Sequence, residues 1–340
     1  MTNEFTYLST VLAGIIMSAC VNSEKILPSV SGSQNEVLVV IADSVWKSPQ
    51  GTMLKQILTQ EIYGLPQPEP MFDVYQCQPA AFSDMLKPSR NVIIAEISEK
   101  YAVSEISFIH NVWAKSQAVA KIEAPNEIQF NKIITQHENQ IIDFFITAER
   151  NRQIAYNAVN LNISAVNEIE KMFSIRLDVP KVISKITKGQ NFIWLMNDDA
   201  TVHQDIMVYS FQYGDSTEIT EQFVIAKRDS ITKANIRGEI DGSYMISEKN
   251  PKPKFSTINL NGENCAELRG LWKITAMGMG GAFYSCTLLD KKNKRATAID
   301  AFVFAPSRTK RNPLRQLEAI VHSAKILQNT NQQQLNNEQK

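Results

Sequence analysis

The chain has 340 residues, 44% of them hydrophobic and 21% charged, with 13 Gly, 13 Pro and only 4 Cys. That balance excludes disorder throughout, a collagen-like repeat and a disulfide-dense scaffold. Basic and acidic side chains number 35 each, a formal net charge of zero, so no overall basic field draws the protein to nucleic acid.

Leu8 to Ala19 (LSTVLAGIIMSA) is apolar or small and carries no charge. It is shorter than the roughly 20 residues that span a bilayer and suits the roughly 7–15 of a signal-peptide core. It closes on Met17-Ser18-Ala19-Cys20, which resembles a bacterial lipobox. There the thiol takes a diacylglyceryl group, the peptide is cut before it, and the new amine is acylated. Small residues fit the peptidase's narrow site, and only a thiol forms the thioether. Met17 stands where Leu is usual, and the leader before Leu8 holds Glu4 and no basic residue.

The expectation is a leader over 1–19 and an anchor at Cys20, with the lipid bilayer as first partner. Two or three acyl chains, palmitate among them, hold firmly because each buried methylene contributes about 0.8 kcal/mol. Residues 20–35 are polar and rich in Ser and Gly, and read as a flexible tether. Val21 lacks the acidic character of an inner-membrane retention signal, which favours the outer membrane.

Glu36–Asp43 is a β-branched run that reads as a buried strand, and a helix then opens at Ser48 or Pro49. Strands follow at Phe72–Gln76, Asn91–Ile97, Glu105–Trp113 and Gln117–Glu123, the last two as a hairpin. A long helix begins near Asn126, with Phe130, Ile134, His137, Ile141 and Phe145 on one face. His137 there reads as a core histidine.

The second half reads as strands at Ile175–Val179, Asn191–Met196, Ile206–Gln212, Tyr244–Glu248, Ser256–Asn261, Cys265–Thr275, Ala282–Asp290 and Thr297–Phe304. One helix covers Glu218–Ile236, with Ile219, Phe223, Ala226, Ser230 and Ala234 inward. Another starts at Pro313 behind an Asn312 cap. The tail 328–340 is Gln/Asn-rich and reads as disordered. The fold class is therefore α+β in two sub-domains, 36–160 and 161–327, mainly antiparallel sheets with helices packed on one face.

Six stretches carry a family likeness: Asn191–Leu195, Ala226–Ser230, Glu267–Trp272, Met279–Phe283, Phe302–Pro306 and Lys310–Ile320. With the lipobox they resemble a family of predicted lipoproteins of Bacteroidetes-type bacteria, a domain of unknown function numbered four-eight-three-seven. The resemblance implies coverage of nearly the whole mature chain, and supplies place and architecture without an activity. The second half also resembles, more weakly, a PsbP-like α+β domain.

On the strand Cys265–Ile274, Glu267, Arg269 and Lys273 share one face, and Asp300 interrupts an apolar run. An unpaired carboxylate there is costly, so a cross-strand polar cluster of Glu267, Arg269, Lys273 and Asp300 is expected. As a functional surface it would take an anionic or sugar-bearing envelope ligand; as a plain one it is a solvated sheet face. Lys310 and Arg311 precede the last helix, where the dipole disfavours cations. An acidic partner is expected, within the chain at Asp300 or Glu318, or outside it.

Cys77, Cys265 and Cys286 remain beside Cys20. Neighbouring strands make Cys265–Cys286 the best-placed disulfide, although three buried thiols is the favoured state. Asp43-Ser44-Val45, Asp215-Ser216-Thr217 and Asp229-Ser230-Ile231 fit a short O-glycosylation pattern, with inward Ser230 arguing against the last. Neither metal spacing, a cofactor motif nor a nucleophile elbow is present. The reading is a lipid-anchored envelope component that binds or scaffolds an envelope protein or glycan. An envelope hydrolase with its site between the halves, and a secreted protein without lipid, are the alternatives.

Overall fold

The computed structural model describes residues 26–327 apart from 215–218 and 291–293. The leader, Cys20, Asp215-Ser216-Thr217 and the tail 328–340 lie outside the described residues. The α+β class and the mostly antiparallel pairing of the sheets hold.

The first half contains β1 (Glu36–Val40), α1 (Asp43–Trp46), α2 (Pro49–Leu58), β2 (Asp73–Cys77), β3 (Asn91–Ile97), β4 (Glu105–His110) and β5 (Ala118–Ala124). α3 (Glu127–Gln136) and α4 (Glu138–Val159) complete it. Its sheet, ordered β2-β1-β3-β5-β4, departs from the antiparallel expectation, because every pair but the β4–β5 hairpin is parallel. The cause is burial on both faces, which favours continuous apolar strands and long crossovers. Val39, Ile93 and Ala120 face the core under α2–α4, while Val40, Val92 and Val119 pack beneath Phe82 and Trp113. The expected single helix from Asn126 is two, broken at His137, although Asn126 does cap it by accepting from the Gln129 N–H at 2.9 Å.

Residues 28–35 are not a loose tether. Ser31 and Ser89 form a parallel bridge, in which Ser31 N–H donates to the Pro88 carbonyl at 2.9 Å. Lys115 N–H donates to the Pro28 carbonyl at 2.8 Å. Small polar side chains let the segment lie flat beside β3 and β5, so composition read as flexibility is here backbone satisfaction.

The second half contains α5 (Ile163–Phe173), β6 (Ile175–Arg176), β7 (Ile183–Gly189), β8 (Phe192–Asn197), β9 (His203–Gln212), α6 (Glu221–Asn235) and β10 (Met245–Ser247). β11 (Lys254–Leu260), β12 (Glu263–Ile274), β13 (Gly280–Asp290), β14 (Arg295–Phe304), α7 (Arg311–His322) and β15 (Lys325–Ile326) follow. The main sheet runs β10-β12-β13-β14-β9-β8-β7, with β11 also on β12. The strand patterning missed the edge strand β7, whose lysines and exposed face hide its period, and the two-residue β15 after the last helix. Helices cover both faces of this sheet, not one: α5 and α7 close the first core, α6 the second.

α6 is also rotated from its expected face. Val224, Arg228 and Thr232 point inward, and Ala226, Ser230 and Ala234 are exposed. Hydrophobicity alone could not select that face, because its central residue is an arginine with a buried partner. Ser230, outward, therefore loses the argument made against it as a modification site.

The halves meet along α4 and α7. α7 begins at Arg311, two residues before the expected Pro313, and its cap is Glu69 of the first half. That carboxylate accepts from the Lys310 N–H at 2.7 Å and the Arg311 N–H at 2.9 Å. Anionic charge at a helix N-terminus is favourable, so the acid that offsets these cations is Glu69, with Asp73 bonded to the Arg311 guanidinium at 3.1 Å. Asp300 and Glu318 are engaged elsewhere. Glu69→Ala strands two buried donors and should cost about 2 kcal/mol, read from denaturant unfolding. A loss below about 0.5 kcal/mol would refute the cap.

Candidate functional site

The β12 face separates the residues expected to cluster. Register pairs Leu268 with Ser285 and Ser285 with Asp300, placing Asp300 on the face opposite Glu267, Arg269 and Lys273. Asp300 is wholly buried against α6, where Arg228 Nε and Nη2 donate to it at 2.7 and 3.2 Å. Arg228 also donates to Ser247 Oγ at 3.0 Å and lies 3.8 Å over the Phe283 ring. Burial raises the Asp300 carboxyl, with Arg228 opposing it. Lys273 stands apart and pairs with Glu248 at 2.9 Å. Lys310 Nζ donates to Gln67 Oε1 and the Arg308 carbonyl, both at 2.8 Å.

Glu267 and Arg269 enter a charged network at the seam between the halves. Glu318 of α7 accepts from Arg269 at 2.6 Å and from Arg315 at 3.1 Å. Burial alone would raise the Glu318 carboxyl, but Arg269, then Arg315, outweigh it and bring it down to about 2. The Tyr284 hydroxyl lies 2.7 Å from Glu267 and 2.8 Å from His322 Nε2. One phenol proton serves one acceptor, so Tyr284 donates to the carboxylate and His322 Nε2–H donates to Tyr284. Burial, then the Arg150 charge, pushes His322 down to about 3, consistent with a neutral imidazole.

Beside this seam a cleft of about 800 Å³ opens between the halves. Its distinctive element is a run of amides, each donating to the next. Gln204 donates to Gln316 at 3.1 Å, Gln316 to Gln34 at 3.0 Å, Gln34 to Gln153 at 2.8 Å, and Gln153 to Asn157 at 2.9 Å. All five line the cleft. The run ends at Asn157 Nδ2, which is buried and has no hydrogen-bond partner among the described residues. Tyr156, 57% exposed, stands on the same wall.

The cleft carboxylates are engaged. Glu149 bonds Arg90 and Arg152, each at 2.9 Å, and Asn91 at 2.6 Å. Asp198 pairs with Lys185, and Asp199 accepts from the Thr201 and Val202 N–H groups. Sequence reasoning missed this site because its amides come from distant segments. Only the spacing Gln153–Asn157, one helical turn, was legible as a pair.

Cys265 and Cys286 are joined in a disulfide with Cα atoms 5.9 Å apart, and Cys77 is free and half-buried. Three thiols therefore give way to one bond, because strand register brings two of them onto one buried face. Gly278 and Met279 lie in the turn between β12 and β13, and Gly280 and Gly281 open β13. Among the described residues no group of His, Cys, Asp or Glu could hold a metal, and no helix is long and apolar enough to cross a membrane.

Residues 162–323 match the family described as Domain of unknown function (DUF4837), and residues 30–158 match Domain of unknown function (DUF8532). The first match covers the second half and not nearly the whole chain, and a different family model matches the first half. No curated protein matches the chain. Among solved structures, a mutant of the protein Mog1 aligns at 11% identity over 46% of this chain and 93% of that one, with a TM-score of 0.29. Residues 162–323, the second half of this chain, are thus similar to the DUF4837 family of domains of unknown function.

Proposed function

We propose that the protein is a lipid-anchored component of the cell envelope, held through acylated Cys20, that binds a glycan in the cleft between its halves. The observation that carries this reading is the amide run ending at the unpartnered Asn157 Nδ2. A buried donor without an acceptor costs about 1–3 kcal/mol, and a ligand oxygen placed there recovers it. Amides offer both donors and acceptors, which matches the hydroxyls and ring oxygens of sugars. Tyr156 adds an exposed flat apolar surface for a sugar face. The charge-free Leu8–Ala19 run before Cys20 supports the anchor.

A glycan array screened with the soluble body from residue 26 identifies oligosaccharide hits, and calorimetry then compares variants. Tyr156→Ala should weaken binding about tenfold, equivalent to 1.4 kcal/mol, and Asn157→Leu should lose more. Equal binding by both variants, or no hit on the array together with capture of an unglycosylated envelope peptide, would overturn the glycan reading. Mass spectrometry of the membrane-purified protein should find a diacylglyceryl thioether on Cys20 as the new N-terminus; an intact leader with a bare thiol would remove the anchor.

A further inference from the structure

A small cavity of about 20 Å³ lies at the inner end of the cleft, enclosed by Ile146, Arg150, Arg315 and Glu318, and it shares Gln34, Glu149, Gln153 and Gln316 with the cleft. That volume accommodates about one water-sized oxygen centre. Arg150 Nε and Arg315 Nε are both buried and, among the described residues, without a hydrogen-bond partner. Arg315 spends one Nη on Glu318 and directs the other at the Met71 sulfur, 3.7 Å away. Arg150 is half-buried, and among the described residues no carboxylate lies within ion-pair distance of it.

The seam is short of negative charge. Arg90, Arg150, Arg152, Arg269 and Arg315 converge there, against Glu149, Glu267 and Glu318. Glu149 already serves two guanidinium groups and Glu318 another two. His322, the nearby titratable group on α7, is neutral and adds no anion. The positive field is felt by the neighbours, since Arg150 helps lower both Glu318 and His322. A buried cation without a counter-charge is costly, and guanidinium groups favour planar or tetrahedral oxyanions.

We infer that Arg150 and Arg315 form an oxyanion subsite at the inner end of the cleft, so that the ligand is an acidic one whose carboxylate or phosphate places one oxygen in the 20 Å³ cavity. The inference rests on the glycan reading for the remainder of the ligand, and on the seam alone for the anion. The Asn157 donor and the two free Nε–H groups then serve one molecule: hydroxyls on the amide run, and the acidic group on the arginines. The shared chemistry of the two sources is an oxyanion on a sugar, a uronate in one case and a sugar phosphate in the other.

Two measurements separate the readings. Arginine Nε–Hε resonances are followed while inorganic phosphate, then acetate, is titrated into the soluble body. Shifts confined to Arg150 and Arg315, abolished by Arg150→Gln, are expected. Calorimetry then compares a neutral oligosaccharide with its uronate and its 6-phosphate. At least one acidic form should bind tenfold or more tightly than the neutral one, and Arg150→Gln should erase that difference while leaving the neutral affinity unchanged. Arg150→Lys, which keeps charge without the fork, should restore part of it.

Phosphate shifts at Arg150 without binding of any oligosaccharide would uphold the anion subsite and sink the glycan reading. Neutral and acidic forms binding alike, with no arginine shift, would sink the subsite and uphold the glycan. An acidic preference that survives Arg150→Gln also overturns it.

Discussion

Asp205→Asn should stabilise the protein by about 4 kcal/mol at pH 8 relative to the native chain, and by almost nothing at pH 3.5. Asp205 is 5% exposed in β9, and its Oδ1 accepts from Trp194 Nε1 at 3.0 Å. Burial pushes its carboxyl up to about 7, only partly opposed by the Trp194 bond. A carboxyl raised in the folded state is harmless below its ordinary 3.8; its stability contribution is lost as pH rises from there through 7. About three pKa units at 1.36 kcal/mol each give the expected size. Asparagine keeps an oxygen for Trp194 and removes the titration.

His322 works in the opposite sense. Its folded value is lowered to about 3, so the unfolded chain takes the proton first, and stability falls as pH drops from 6.5 towards 3. Between about 4 and 6.5 the two slopes oppose each other. Asp205→Asn should uncover the histidine slope, about 1.4 kcal/mol per pH unit. His322→Gln, whose amide can still donate to Tyr284, should uncover the aspartate slope. Unfolding free energies taken as differences from the native chain at pH 4 to 8 check both, and difference profiles that stay level with pH would refute them.

The second large effect concerns Arg228 and Asp300, both completely buried. Arg228→Met leaves a bare carboxylate against Phe283, and Asp300→Ala a bare guanidinium; each should cost about 3–5 kcal/mol. Arg228→Met with Asp300→Val should cost clearly less than the two singles summed, since the buried charge goes with its partner. A double-mutant cycle by denaturant unfolding measures the coupling. Additive losses would mean the pair contributes only packing.

The surprise of an arginine on the inner face of α6 shows where one-dimensional patterning ends. Asp300 in an apolar run announced that it needed a partner, and strand alternation put Glu267, Arg269 and Lys273 on one face, although Lys273 pairs with Glu248 away from the other two. Neither could say that Asp300 faces the other way, because the facing of β14 is set by its register with β13. Lys310 and Arg311 likewise announced an acidic neighbour. Glu69, which supplies it, lies 241 residues earlier from Lys310.

What the residues determined unaided is periodicity and local chemistry: most strands of the second half, the Ser48 and Asn126 caps, the β4–β5 hairpin, and the family likeness of the second half. These depend on side chains a few positions apart, which alternation and helical spacing bring onto one face. The parallel pairing of the first sheet, the two-sided helix cover, the disulfide, the amide run and the crowded arginines were decided only when the chain closed on itself. Each joins groups from distant segments, and a charge buried at a seam has meaning only once its neighbours across that seam are in place.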